Sequence, residues 1–327
     1  MNRILVDWLT ISFKAHFFQN KLIDLLHIPD NASDVRGFLF NCDQGIYFMG
    51  VQIRWNSQNG LVVLNCSGQG CRTLETLNPG FDWFKFLYSF HDWLTTKNQN
   101  GEYIAHISRI DLAYDVFDDE RITMPFLMSY VGKNKYCCLS TRKVGKIWDE
   151  SDIYLGSPKS DRFLRIYDKA LEQGEPDKKW IRFEMQMRNT CAMSAYLNLV
   201  KYSGDIGYVY RGILRDYVRF TTKSRDDVGN SNTSRLVTCR WWLELLDNIK
   251  GIKQLYLPGI EYNIGTLYKY IDVQVASSLK TMVALNHGDL THIIEVIDKS
   301  QYNLKQKQLL AEYDRIAKDR IDNSVPI

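Results

Sequence analysis

Apolar and polar residues alternate along several segments in the first two thirds of the chain, a pattern typical of β-strands. The clearest segment runs from Ile181 to Arg188 and places four charged or amide groups on one face: Arg182, Glu184, Gln186 and Arg188. Comparable runs predict further strands at residues 4–13, 45–55, 61–66, 104–117, 153–154 and 163–169, the last two forming a hairpin. Residues 67–72, which read SGQGCR, predict a tight turn, and the spacing of apolar residues over 81–97 predicts an amphipathic helix.

Helical periodicity replaces this alternation after Gly204. It predicts helices near 208–220, 240–249, 264–284 and 290–318, with a polar loop at 223–233. We therefore predict an α+β protein with an antiparallel-sheet domain over residues 1–203, whose helices cover one face. A mainly helical C-terminal region follows over residues 204–327.

Composition indicates the class of protein and its cellular compartment but does not decide the function. The 327 residues are 45% hydrophobic and 24% charged, with a net charge of +3, as in an ordinary soluble protein. Seven irregularly spaced cysteines form no CxxC pair, which indicates a reducing compartment, and the six histidines form no HxH or HExxH motif. No segment resembles a signal peptide or a membrane span, so we expect a cytoplasmic protein without a membrane partner.

A polar strand face followed by a helix with one tyrosine can carry phosphodiester chemistry. Glu184 and Gln186 offer oxygen ligands to a hard divalent cation, Asp111 on a neighbouring strand offers a third, and Tyr196 offers a nucleophilic hydroxyl. The basic residues that would hold phosphates are Arg109, Lys159, Arg165, Lys169 and Arg182. Each residue also has a structural explanation. The chain has 19 tyrosines, Tyr202 competes with Tyr196, and the acids could simply form ion pairs with nearby arginines.

An ordered set of motifs resembles the Rep-trans family, the replication initiators of rolling-circle plasmids and some phages, which are related to relaxases of integrative elements. The matching segments are VDWLT at 6–10, SGQGCR at 67–72, RIDLAYD at 109–115, YLGS at 154–157, RIYDK at 165–169, RFEMQMR at 182–188 with Tyr196 beyond, and RWW at 240–242. The resemblance implies an HUH-like nuclease fold in which acidic residues replace the paired histidines. It also implies a Mg²⁺- or Mn²⁺-dependent endonuclease that nicks one strand at an origin.

The same resemblance assigns roles to individual residues. Tyr196 would stay joined to the 5′ phosphate and release a 3′ hydroxyl that primes synthesis, and Glu184 would bind the metal. Gln186 stands where related proteins can carry a second acid, so Asp168 is an alternative ligand. The resemblance further implies origin DNA as substrate, a homodimer and a host helicase as partner.

Two other functions stay open on the sequence. A relaxase for conjugative transfer or mobilisation would use the same chemistry, and a non-catalytic DNA-binding paralogue would keep only the fold. Basic residues of the C-terminal half could grip the origin duplex or serve solubility: Arg211, Arg215, Arg219, Lys223, Arg225, Arg235 and Arg240.

Overall fold

A computed structural model describes residues 2–138, 146–148, 152–224, 236–252, 268, 271–302, 306–307 and 310. Strands dominate the first half of this part of the chain. They are β1 (Arg3–Lys14), β2 (Ser33–Leu39), β3 (Cys42–Phe48), β4 (Val51–Trp55), β5 (Leu61–Cys66), β6 (Ala105–Phe117), β7 (Tyr136–Cys138), β8 (Lys146–Trp148), β9 (Asp152–Gly156), β10 (Arg162–Asp168), β11 (Trp180–Arg188) and β12 (Val218–Phe220).

Ten strands form one sheet in the order β2-β3-β4-β5-β1-β6-β11-β10-β9-β8, and every neighbouring pair is antiparallel. The remaining two strands, β7 and β12, pair separately. The longest pairings lie in the middle of the sheet, where β1, β6 and β11 run side by side. This arrangement confirms the predicted α+β class with an antiparallel sheet.

The helices are α1 (Phe18–Leu26), α2 (Gly68–Leu77), α3 (Trp83–Tyr88), α4 (His91–Thr95), α5 (Met124–Gly132), α6 (Lys169–Glu172), α7 (Asn189–Lys201), α8 (Ile206–Tyr217), α9 (Arg240–Leu245), α10 (Ala276–Leu285) and α11 (Thr291–Lys299), with a π-helical turn at Ile271–Val275. Among the described residues no helix is both long enough and apolar enough to cross a membrane.

Several helices cover the apolar face of the sheet. The Trp242 ring in α9 lies 5.7 Å from the Phe183 ring of β11, and the Phe90 ring before α4 lies 5.0 Å from the Phe13 ring of β1. Phe13, Phe183 and Met185 are all fully buried. The opposite face of the central strands carries the polar residues, as the alternation predicted.

Two predicted elements differ from the structure. The segment 67–72 is not a tight turn but the start of helix α2, with Ser67 as its N-cap. A Cβ on Gly70 would lie 2.2 Å from the carbonyl oxygen of Gly50, so this glycine permits a close backbone approach rather than a turn. The predicted helix over 81–97 is divided into α3 and α4, which are separated at Ser89 and Phe90.

The chain divides into two compact units, Met1–Leu257 and Pro258–Ile327. Helices α8 and α9, which the sequence assigned to the C-terminal region, contribute Tyr210, Tyr217 and Trp242 to the core of the first unit. Residues 264–267, most of 303–318 and residues 225–233 of the predicted polar loop lie outside the described residues.

Candidate active site

The polar face of the three central strands brings the predicted acids together. In the pairing of β6 with β11, Asp111 lies opposite Gln186, Ala113 opposite Glu184, and Asp115 opposite Arg182. Directly paired residues of antiparallel strands share a face. The side chains of Asp111, Glu184 and Gln186 therefore project from the same side of the sheet.

Asp111 is almost completely buried beneath an arginine. Its side chain is 1% exposed and accepts hydrogen bonds from Nε of Arg109, at 3.0 Å to Oδ1 and 3.1 Å to Oδ2. The Arg109 guanidinium also stacks 4.0 Å from the ring centre of Trp8. Burial raises the pKa of Asp111 to about 7, Arg109 opposes this shift, and the Glu184 and Asp7 carboxylates add to it.

Glu184 meets a tyrosine that the sequence analysis did not select. The Tyr167 hydroxyl donates a hydrogen bond of 2.8 Å to Oε2 of Glu184. Burial raises the pKa of Glu184, and the negative charge of Asp7 raises it further. Burial and the nearby Glu184 carboxylate likewise raise the pKa of Tyr167. The Arg165 guanidinium lies 3.9 Å from the centre of the Tyr167 ring and pairs with Asp152 at 3.0 Å.

Asp7 is the third acid of this face, and it stands at an irregularity in β1. The register with β6 shifts between Val6 and Trp8, so the intervening Asp7 is the extra residue of a bulge. Its Oδ1 atom pairs with Arg182 at 2.9 Å, and its charge acts on both Asp111 and Glu184. In the sequence, Asp7 is distinguished as the single carboxylate of the mostly apolar run 4–13, and this could have marked it as a candidate site residue.

Arg182 is a structural residue in this arrangement and does not offer its guanidinium to a phosphate. It is 3% exposed and donates hydrogen bonds of 2.6 and 2.9 Å to Asp115, in addition to its pair with Asp7. Asp115 is fully buried and also pairs with Arg3 at 2.8 Å. The predicted phosphate contact of Arg182 is therefore not supported, because two buried or half-buried carboxylates already occupy the group.

Tyr196 does not meet the acids as the sequence predicted. It is fully buried, and its hydroxyl lies 2.8 Å from Nδ1 of His91 in α4. Helix α7 packs its stripe of Ala192, Ala195 and Leu199 into the core, and Tyr196 belongs to the same stripe. The ring consequently lies in the helical layer, across the sheet from Glu184 and Asp111.

The other predicted residues are distributed around the site. Lys159 is exposed in the turn between β9 and β10, and Lys169 lies 5.7 Å from the Tyr167 ring centre while pairing with Glu172. Asp168 pairs with Ile181 in the register, so it projects from the opposite face and caps α6 through the amide of Leu171. The alternative ligand role of Asp168 is therefore not supported.

The acid cluster suits a hard cation in its chemistry. The charge of Asp7 raises the pKa of both Asp111 and Glu184, and the charge of Glu184 also raises that of Asp111; a bound divalent cation would relieve this repulsion. Within the described residues, however, no three His, Cys, Asp or Glu side chains already stand in metal-binding positions. Arg109 pairs with Asp111, and Arg182 pairs with Asp7. Binding of a cation would therefore require at least the Arg109 side chain to turn away.

Comparison with known proteins shows the family of this chain. Residues 105–297, more than half of the chain, match the model of the Rep_trans family, described as replication initiation factor. The chain belongs to the Rep_trans family. Residues 3–89 of this Rep_trans protein also match the N-terminal domain of rolling-circle replication initiation proteins. The predicted resemblance is thereby confirmed, and the two matches divide the central strands between them, with β1 in one and β6 and β11 in the other.

Individual relatives agree with the Rep_trans assignment. The putative DNA relaxase NicK of Bacillus subtilis (strain 168) is 25% identical over an alignment of 334 residues, covering 94% of this chain and 89% of the relative. The rolling-circle replication initiator protein of Geobacillus stearothermophilus superimposes with a TM-score of 0.60 at 22% identity. That match covers 78% of this chain and 99% of the other, and it shows a shared fold.

Proposed function

We propose that this Rep_trans protein nicks one strand of origin DNA by a divalent-cation-dependent transesterification and so starts rolling-circle replication. One observation carries the assignment of the chemistry. The Tyr167 hydroxyl lies 2.8 Å from Glu184, on the sheet face that also carries Asp7 and Asp111. A hydroxyl within hydrogen-bond reach of a carboxylate is the arrangement of a nucleophile and its base.

The reaction begins with proton transfer and attack. Tyr167 gives its phenolic proton to Glu184, and its oxygen forms a bond to the phosphorus of the scissile phosphodiester. The bond from phosphorus to the 3′ oxygen breaks, and that oxygen takes a proton from solvent. The products are a 5′-phosphotyrosine and a free 3′ hydroxyl that primes synthesis. Because one phosphodiester replaces another, no nucleotide hydrolysis is required.

The raised pKa of Tyr167, Asp111 and Glu184 is the reason that a cation would assist the reaction. Asp7, Asp111 and Glu184, with the amide oxygen of Gln186, would hold Mg²⁺ or Mn²⁺. The cation would neutralise the acids and the non-bridging phosphate oxygens. Arg109, released from Asp111, becomes available to a phosphate.

Basic side chains beside Tyr167 are placed to hold the DNA strand. Arg165 and Lys169 flank the Tyr167 ring, and Lys159 is exposed at the end of the same hairpin. Guanidinium and ammonium groups bind phosphate oxygens through charge-assisted hydrogen bonds. We assign these three residues and Arg109 to the unpaired strand at the scissile bond.

Tyr196 is the second candidate nucleophile, and a separate contact favours it. Its hydroxyl lies 2.8 Å from a ring nitrogen of His91, which is also a pairing of a nucleophile with a base. Attack by Tyr196 would require α7 to move, because the ring is fully buried. The Tyr167 ring is also buried, at 2% exposed, but it lies on a strand beneath the Arg165 side chain, so its attack would require side chains such as Arg165 to move aside.

Trapping of the covalent adduct separates these possibilities. The full chain is incubated with supercoiled origin DNA and Mg²⁺ or Mn²⁺, and the protein–DNA adduct is resolved on a denaturing gel and mapped by mass spectrometry. We expect Tyr167→Phe to abolish the adduct, and both Tyr196→Phe and the control Tyr202→Phe to retain it. Loss in Tyr196→Phe alone would transfer the role to Tyr196. Absence of an adduct with the unaltered protein would favour a non-catalytic paralogue.

The acids are tested separately from DNA binding. Glu184→Gln and Asp111→Asn should abolish nicking while leaving binding to duplex origin DNA near normal. Loss of both activities would indicate a structural role instead. A relaxase would show the same chemistry, and a neighbouring replication origin rather than transfer genes distinguishes the initiator.

Recognition of the origin duplex is assigned to the C-terminal half, from residue 204 onward, with a host helicase recruited after nicking. Several basic residues there already have internal partners: Arg211 pairs with Asp247 at 3.2 Å and Arg240 with Glu244 at 2.7 Å. Arg215 donates to backbone carbonyls at 248 and 249, and Arg225 and Arg235 lie outside the described residues. Salt-dependent origin binding that is unchanged in the full-length variants Lys223→Glu and Arg240→Glu, both at exposed positions, would contradict this assignment.

A further inference from the structure

An aromatic side chain interrupts the polar face of the sheet next to the candidate active site. Phe163 of β10 lies opposite Gln186 of β11, so its ring projects from the face that carries the acids. Its neighbour Leu164 points to the other face and is fully buried in the core, whereas Phe163 is only half-buried. Packing of the core therefore does not account for a phenylalanine at this position.

A second ring and a glycine border Phe163 on the side of β9. The Tyr154 ring lies 5.4 Å from the Phe163 ring, with an angle of 57° between the two planes. The residue of β9 that pairs directly with Phe163 is Gly156, which has no side chain. A glycine within a strand often marks a place where a ligand approaches the backbone closely. This face of the sheet thus has space beside the Phe163 ring.

Two arginines flank Phe163 along the neighbouring strands. Arg165 lies two residues further along β10, and Arg188 lies two residues beyond Gln186 on β11. Residues two apart on one antiparallel strand are separated by about 7 Å and share a face. An aromatic ring therefore stands between two guanidinium-bearing positions on the same side of the sheet.

Arg188 stands where a bound anion would be favourable. It lies directly opposite Arg109 of β6, and like charges placed opposite each other destabilise a strand pair. Its guanidinium is held beside the turn between β9 and β10 by a hydrogen bond of 2.7 Å to the carbonyl oxygen of Pro158. A phosphate bound to Arg188 would relieve the repulsion between the two arginines.

We propose that Phe163 stacks on the base of one nucleotide next to the scissile phosphate, and that Arg188 binds the phosphate on the far side of that base. The proposal rests on the proposed nicking reaction, in which Tyr167 and Arg165 meet the scissile phosphate. The order along the sheet is then nucleophile, arginine, aromatic ring and arginine. This order follows the alternation of phosphates and bases in a single DNA strand.

The ligand of this subsite is single-stranded DNA. Aromatic side chains stack on bases of any sequence, and guanidinium groups bind phosphate oxygens. A base inside a duplex is already stacked on its neighbours and has to leave the duplex before a protein ring can take their place. The subsite therefore makes unpaired DNA a requirement for the correct placement of the scissile bond.

Binding of a fluorescein-labelled single-stranded oligonucleotide tests the stack. The oligonucleotide spans the nick sequence mapped from the trapped adduct, and every chain carries Tyr167→Phe so that it does not cleave. We expect Phe163→Leu to raise the Kd roughly 5- to 150-fold, the range of one base–aromatic stack, and Phe163→Trp to leave it nearly unchanged. Leucine keeps an apolar side chain but lacks the aromatic face, so this pair of variants separates stacking from packing.

Two further measurements identify the base and the phosphate. Each base near the nick is replaced in turn by an abasic site. At one position the replacement should weaken binding to the chain with Phe163 and have no further effect in Phe163→Leu, because the ring and the base act as a pair. Arg188→Gln should reduce the slope of log Kd against log salt concentration by about 0.7, the value for one phosphate of a single strand, whereas Phe163→Leu should leave the slope unchanged.

Tyr103→Leu is the matched control. This exposed ring precedes β6 and also lies near a cation, with Lys97 at 5.5 Å, so its replacement should leave strand binding unchanged. If the adduct forms normally, equal binding with Phe163 and Phe163→Leu would overturn the subsite alone, as would equal weakening by Phe163→Leu and Phe163→Trp. Absence of any adduct with the unaltered chain would instead refute the nicking reaction on which the subsite rests. Circular dichroism checks that each variant is folded.

Discussion

Removal of the buried Arg182 guanidinium should destabilise the protein strongly. In Arg182→Ala, three hydrogen bonds are lost, two to Asp115 at 2.6 and 2.9 Å and one to Asp7 at 2.9 Å. Asp115 is fully buried, and its remaining partner Arg3 is half-exposed and approaches from the strand end. Loss of one member of a buried ion pair costs about 3–5 kcal/mol of unfolding free energy, because the other charge is left uncompensated.

The pH dependence of this loss follows from Asp115. Burial alone would raise its pKa, but the hydrogen bonds and charge of Arg182 outweigh burial and hold the pKa below its ordinary value. A carboxyl whose pKa is lowered by folding contributes stability above the pKa of the unfolded chain, about 3.9, and this contribution disappears as the pH falls through the folded value. The difference between Arg182→Ala and the unaltered protein should therefore shrink below about pH 4.

Urea unfolding followed by tryptophan fluorescence measures the effect. Lys14→Ala is the control, since the Lys14–Glu102 pair is 54% and 45% exposed and such a pair contributes at most about 1 kcal/mol. Replacement of both partners, in Arg182→Met/Asp115→Leu, should recover part of the loss, because apolar groups leave no uncompensated charge. A loss below about 1 kcal/mol in Arg182→Ala would refute the reasoning.

Three further outcomes are expected. Asp111 keeps its proton to about pH 7 in the folded chain but releases it near pH 4 when unfolded, so stability should fall as the pH rises through this window. In Asp111→Asn, the fall in melting temperature between about pH 5 and 7 should be smaller, and an equal fall would contradict the raised pKa. Mn²⁺ should raise the melting temperature of the unaltered protein and have little effect on Asp111→Asn, and chelation should reverse the gain. Gly70→Ala should lose roughly 1–3 kcal/mol in urea unfolding, because the new methyl would lie 2.2 Å from the Gly50 oxygen, whereas Gly132→Ala meets no atom within 4 Å and should be nearly neutral.

The sequence predicted the strands that carry the acids because their periodicity is a local property. Period-two alternation placed Asp111, Glu184 and Gln186 on polar faces, and the structure brings those faces together across β6 and β11. The same alternation applied to residues 162–168 places Arg165 and Tyr167 on one face. Tyr167, the nucleophile that we propose and that the sequence analysis did not select, could therefore have been chosen by the same rule that selected Glu184.

The remaining differences depend on contacts between distant segments. The bulge at Asp7 is defined only by the pairing of β1 with β6, and nothing in residues 4–13 alone reveals it. The glycine at position 70 resembles a turn residue until the backbone at Gly50 is seen beside it. Tyr196 has the same helical spacing whether its stripe faces a substrate or the core, and only the packing of α7 decides between the two.

The position of β1 between β5 and β6 has a consequence for biosynthesis. About 90 residues separate the end of β1 from the start of β6, so at roughly 5–20 residues per second the nascent chain spends on the order of ten seconds with that side of β1 unpaired. β5 emerges sooner and can cover the other side. Until translation passes Phe117, the apolar residues of this first strand are open to intermolecular association, and we expect ribosome-associated chaperones to determine the yield of native protein more than the solubility of the finished chain does.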